Sequence, residues 1–128
     1  MKLLLDTHTL LWFHEEDAQL GAAAADALED LGNECFVSYG SIWEMAIKSS
    51  LGKLELPVPL PKFVQNYVLD EGFGLAEISL EHLSAVATLP HYHGDPFDRL
   101  LVAQSITEGW TFVTNEALFE QYGVVRLW

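Results

Sequence analysis

HYHGDPFDRLLVAQS, residues 91–105, decides how the chain is read. Pro96 suits a first helical position, where its missing N–H costs nothing, and this makes Asp95 the expected N-cap with Asp98 in the first turn. From Leu100 through Leu101, Val102 and Ala103 to Ile106 the helix is apolar on most sides, so it is expected to lie against a buried sheet. Two carboxylates are then held at the mouth of a rigid, buried element. Capping and complementing the helix dipole account for both acids about as well as chemistry does.

Outward from that helix, strands and helices alternate along the whole chain. Lys2 to Leu5 is a short apolar run closed by Asp6, the pattern of a central parallel strand with its acid at the carboxyl edge. Asp6 or Thr7 caps the helix that carries Leu10, Leu11 and Trp12, and residues 21–31 form a second helix stopped by Gly32. Residues 35–38 read as a strand. SIWEMAIKSSLGKL, from Ser41, reads as a helix that buries Ile42, Met45, Ala46 and Leu51, and Ser41-x-x-Glu44 fits a capping box. A proline-stiffened stretch leads to a helix from Pro61 to Gly72, a strand over 74–79 and a helix over 80–89. Beyond Gly109 come a strand at Thr111–Val113, a helical turn over 116–121 and a last strand over 124–127. This alternation predicts a three-layer α/β/α sandwich with a mainly parallel central sheet, one domain over residues 1–128.

Composition narrows the class. Half of the 128 residues are hydrophobic, enough for a core without staples. No apolar run approaches the roughly 18 residues that cross a bilayer, and MKLLLDTH reaches a charge too early for a signal peptide, so a cytoplasmic protein with no membrane role is expected. A lone cysteine, Cys35, sits in a strand-like setting and reads as a core residue rather than a nucleophile. Six Lys and Arg stand against nineteen Asp and Glu, a formal charge of −13. That balance argues against nucleic-acid binding through a basic patch and for a cationic partner or cofactor.

In open parallel sheets the functional crevice lies beyond the carboxyl ends of the strands. Asp6, Glu44, Asp98 and Glu116 each fall at a strand end or helix start on that same expected edge. If the acids converge, two charges about 4 Å apart repel by roughly 4 kcal/mol at an effective dielectric of about 20, so the cluster needs a cation or a proton. Oxygen donors without a thiolate favour Mg²⁺, with Mn²⁺ as substitute, over zinc. Such a site activates water and clamps a phosphodiester, and the ion would invert the local sign of an acidic surface.

LLLDTHTLLW, VSYGSIWEMAIKSSLGKL, LPHYHGDPFDRLLVAQS and TFVTNEALFEQYGVVRLW together resemble the PIN domain, specifically the VapC-type toxins of bacterial toxin–antitoxin pairs. Four separated blocks in the right order carry that resemblance from Leu3 to Trp128. It implies a metal-dependent endoribonuclease that cuts RNA and is held inactive by a cognate antitoxin. On this resemblance Asp6, Glu44 and Asp98 match the metal-binding acids, and Asp95 is a neighbouring acid of the same block. Glu116 stands where the family usually has Asp, so it is expected either to ligate, directly or through water, or only to cap its turn.

Other groups carry competing readings. His91-x-His93-x-Asp95 suggests a zinc loop, but Pro96 occupies the place of a further histidine, and His93 is expected instead to shape the loop by hydrogen bonding. Arg99 is expected to pair with an acid of the cluster or, less favoured, to bind substrate phosphate. Thr7, Ser38 and Thr114 adjoin strand ends, where they can orient carboxylates or cap helices. Lys48 and Lys53 read as solvated surface that can touch RNA. Trp12 and Trp43 are expected in the core or, as the resemblance implies, at a homodimer or antitoxin interface. Two rival functions remain: a catalytically inactive acidic module that docks a basic protein, and aspartyl-phosphate chemistry, for which Asp6-Thr7-His8 supplies only one of the paired acids required.

Overall fold

The computed structural model describes residues 1–128. Its five strands are β1 (Lys2–Leu5), β2 (Glu34–Ser38), β3 (Gly74–Ala76), β4 (Thr111–Val113) and β5 (Arg126–Leu127). They lie in the order β3-β2-β1-β4-β5, every pair parallel. β1 is central, with Leu3 between Cys35 and Thr111 and Leu5 between Val37 and Val113. The chain runs outward from β1 in one direction to β3, then returns to build the other half. Neighbouring connections therefore part company beside β1, which opens a crevice at its carboxyl end.

Alternation along β1 assigns the two faces. Leu3 and Leu5 pack with Leu10 of α1 (Thr7–Glu15), Ala24, Ala27 and Leu28 of α2 (Ala22–Glu29) and Met45 of α3 (Tyr39–Ser50). Leu4 faces the other way, onto Leu101 and Val102 of α6 (Pro96–Glu108), with Phe112 and Phe119. α4 (Leu60–Val64) runs on as a π-helical segment, Gln65–Leu69, and α5 (Leu80–Thr88) packs along α6. The result is the expected α/β/α sandwich. No helix is long and apolar enough to cross a membrane. Cys35 is buried, and burial pushes its thiol up to about 11, so it takes the core role expected of it.

α6 is buried over the whole run Arg99–Ser105, as its apolar sequence requires, although Ile106 is exposed. Pro96 begins it, Asp95 caps it through the N–H groups of Phe97 and Asp98, and Gly109 ends it in the left-handed conformation.

Several boundaries and burials differ from expectation. α3 begins at Tyr39, two residues before Ser41, because Ser38 takes the cap position through the N–H of Gly40. The Ser41-x-x-Glu44 capping box therefore does not form, and Glu44 lies in the second turn. Leu51 is exposed beyond the end of α3. Trp43 is 60% exposed, with its ring edge-on to Phe97 at 5.2 Å, so it is not a core residue. β3 stops at Ala76 and β5 starts at Arg126, both shorter than predicted. Edge strands have a partner on one side only, and these two are the edges of the sheet.

Candidate active site

Asp6 is the last residue before α1 and its N-cap. Its backbone N–H bonds Val113 at the end of β4, which holds it at the parting of the two sheet halves. Oδ1 accepts from the N–H of His8 at 2.9 Å, and Oδ2 accepts from the Thr114 hydroxyl at 2.8 Å. Each of these bonds favours the charged form, yet burial outweighs them and raises the Asp6 pKa.

Glu44 arrives from α3, buried, with Oε1 accepting from Thr7 Oγ1 at 2.7 Å and Oε2 on Lys48 Nζ at 2.9 Å. The Thr7 hydroxyl also lies 2.9 Å from Ser41 Oγ. Thr7 and Thr114 thus orient carboxylates, as their places at strand ends predicted. Ser38 does not: its hydroxyl faces the Gly40 N–H and only caps.

Asp98 projects from the first turn of α6 into the same cleft. Its pKa is pushed up to about 7, first by burial and then by the charges of Asp6, Asp95 and Glu44, with Lys48 opposing. Three other carboxylates are thus near enough to feel it. Asp95 uses only Oδ1 for its two capping bonds, and Glu116 caps the 3-10 helix Ala117–Tyr122 through the N–H of Leu118 at 3.2 Å. Both also line the cleft, so capping and facing the site are not exclusive here.

His93 behaves as expected. Its Nδ1 accepts the N–H of Asp95 at 3.2 Å, so the ring proton sits on Nε2, 3.8 Å from Asp98 Oδ2. His91 does not line the cleft, and the zinc loop is not assembled. Arg99 overturns both readings given to it. It is buried, and its guanidinium donates to the carbonyls of Pro90 at 2.8 Å, Leu89 at 3.1 Å and Val86 at 3.4 Å, tying the end of α5 to α6. It meets neither an acid of the cluster nor the cleft.

A cleft of about 290 Å³ gathers Asp6, Glu44, Asp95, Asp98 and Glu116 around Lys48 and His93. The donors are carboxylate and hydroxyl oxygens without a thiolate, the kind of set that suits a hard divalent ion, and after burial it is the charges of Asp6, Asp95 and Glu44 that raise the Asp98 pKa. As the side chains lie, no three of them stand close enough to share one ion, because the oxygens of Glu44 and Asp6 are turned to internal partners.

Sequence reasoning missed the rest of the wall. Trp12 lines the cleft rather than the core, 5.5 Å from His8 and edge-on to Trp128 at 5.8 Å. Lys48 reads as solvated surface by residue type, although its spacing of four from Glu44 signals a pair. Gly40 carries no signal in the sequence, yet a Cβ there would meet Leu100 Cδ2 at 2.6 Å, so the glycine lets Leu100 of α6 lie against α3.

A family model described as PIN domain matches residues 3–125, nearly the whole chain. The chain belongs to the PIN domain family. Its VapC-type character is supported by 31% identity over 115 residues to Ribonuclease VapC22 of Mycobacterium tuberculosis, across 89% of this chain and 86% of that one. Among solved structures, VapBC2 from Rickettsia felis bound to a promoter DNA fragment matches with a TM-score of 0.73 at 16% identity, covering 98% of this chain and 97% of that one. FitAcB from Neisseria gonorrhoeae matches with a TM-score of 0.67 at 16% identity, covering 97% and 95%. At those identities the structural matches speak for the fold. The acid-lined cleft of this PIN domain thus sits at the crevice beside β1 of a fold shared with both.

Proposed function

We propose that this PIN domain is a metal-dependent endoribonuclease, the toxin of a toxin–antitoxin pair, which hydrolyses RNA phosphodiester bonds. The observation that carries the reading is the gathering of Asp6, Glu44 and Asp98, from three separate elements, into one cleft. The relative named as a ribonuclease supports the chemistry.

Asp6, Glu44 and Asp98 would hold Mg²⁺ or Mn²⁺, with Asp95 and Glu116 as further oxygen donors at the rim. When bound, the ion makes water a nucleophile at neutral pH and offsets charge that develops on the phosphate. The chain's own residues prepare the site. Thr7 fixes Glu44, Thr114 fixes Asp6, and Asp95 positions Asp98 by capping its helix. His93 holds the rim through its bond from Asp95 and directs its Nε2 proton toward Asp98. An antitoxin partner is supported by a structural neighbour that is a toxin–antitoxin complex from Klebsiella pneumoniae. A homodimer and a cytoplasmic location belong to the same reading.

Asp6→Asn tests it. The variant keeps the thermal unfolding of a folded protein and loses cleavage of single-stranded RNA by at least about a hundredfold. Full cleavage by that variant, purified free of other nucleases, overturns the assignment. The rival inactive module, favoured by Glu116 and the acidic charge, predicts instead that wild-type protein shows no Mg²⁺ or Mn²⁺ binding that Asp6→Asn removes.

A further inference from the structure

The cleft carries a charge imbalance with one answer built into the chain. Asp6, Glu44, Asp95, Asp98 and Glu116 line it, and among Lys and Arg only Lys48 joins them. The chain has six such residues in all. Arg99 is bound to backbone carbonyls, and Arg126 holds Glu120 and the carbonyl of Thr114. Lys2, Lys53 and Lys62 lie elsewhere.

Lys48 follows Glu44 by one helical turn, and its Nζ lies 2.9 Å from Oε2. Pairs at this spacing on an exposed helix face contribute only a few tenths of a kcal/mol. This one differs in its setting. The Glu44 side chain is 6% exposed and that of Lys48 40%, so a flexible stem reaches from solvent to a buried carboxylate. The ammonium also lies in the fields of Asp95 and Asp98. With Thr7 on Oε1 and Lys48 on Oε2, both oxygens of Glu44 are engaged.

We propose that Lys48 is the resident counter-ion of the acid cluster, holding Glu44 while no divalent ion is present and releasing it when one enters, so that Lys48 sets the affinity for the ion. The inference rests on the metal-dependent reading above. A lysine suits such exchange because its compact ammonium is strongly hydrated and its stem can swing to water at little cost, whereas the fork of an arginine would lock onto the carboxylate. A positive charge that the entering ion must displace from Glu44 opposes binding, and its removal is expected to tighten binding by about tenfold.

Calorimetric titration of the full chain with Mn²⁺, paired with thermal unfolding in chelator and at saturating Mn²⁺, tests this in wild type, Lys48→Met and Lys48→Gln. The two neutral variants are expected to bind Mn²⁺ about tenfold more tightly than wild type. They melt below wild type in chelator, and the gap closes at saturating Mn²⁺. A lysine that only braces α3 would lower the melting temperature equally with and without the ion, and that result overturns the proposal. Equal Mn²⁺ affinity in all three proteins also overturns it, while leaving the metal-dependent reading in place. Absence of ion binding in every protein, wild type included, removes the metal-dependent reading and this inference together.

Discussion

Leu100 of α6 presses on Gly40 of α3 so closely that a Cβ on the glycine would meet Leu100 Cδ2 at 2.6 Å. This contact joins the helices that deliver Glu44 and Asp98, so the distance between the two acids depends on a residue with no side chain.

Gly40→Ala is therefore expected to destabilise the protein by about 1–3 kcal/mol, against the roughly 1 kcal/mol gain that alanine brings at an ordinary helical site. Pairing it with Leu100→Ala should cost less than the sum of the two changes, since the smaller side chain vacates the space. Urea unfolding of the four proteins in chelator measures the coupling. Additive costs would show that α3 and α6 do not meet through this pair.

Asp98 gives the ion-free protein a distinctive pH dependence. Its folded pKa, about 7, is raised above the ordinary 3.8 by burial and by its acidic neighbours. A raised carboxyl contributes stability in full below about pH 4, and that contribution falls as pH climbs through 7, because the unfolded chain releases the proton more readily. Asp6 is raised as well and acts in the same direction. The stability of wild type relative to Asp98→Asn should therefore fall from pH 5 to pH 8, by at most about 3 kcal/mol with the Asp98 side chain 25% exposed. Saturating Mg²⁺ should flatten the difference. Chemical denaturation of both proteins at several pH values in chelator provides the measurement, and a difference that does not change with pH would contradict the crowding of acids around Asp98.

How much of this was legible in the sequence depended on how local each cause is. β1 and α6 could be read because a continuous apolar run, a cap and a proline act within a few residues, and the acids at their ends followed from the parallel topology. The start of α3 could not, since Ser38 and Ser41 are both capable caps. Ser41 and Glu44 are instead met by the hydroxyl of Thr7, far away in sequence. Trp43 looked like a core residue by type alone, but its helix turns that position outward. Lys48 shows the opposite failure. Its partner was visible at helical spacing, while the burial that makes the pair matter comes from elements elsewhere in the chain. The threonines at strand ends were legible as a class, and only the fold separates Thr7 and Thr114, which orient acids, from Ser38, which caps.

Arg99 illustrates how a charged neighbour of the site can serve the fold instead. Its guanidinium reaches the carbonyls of Leu89 and Pro90, which lie past the last turn of α5, and that of Val86, which also accepts the Leu89 N–H. Arg99→Met is expected to cost about 3 kcal/mol, because the carbonyls of Leu89 and Pro90 lose the guanidinium and Val86 keeps only its backbone donor. Arg99→Lys should recover less than half of that, since one ammonium cannot span carbonyls that a planar fork joins. Both variants, while folded, should keep the RNA affinity of wild type, which an uncleaved oligonucleotide bound to Asp6→Asn backgrounds can report. Weakened RNA binding at wild-type stability would instead place the guanidinium in the cleft, and the loop from Pro90 to His93 would then need another anchor.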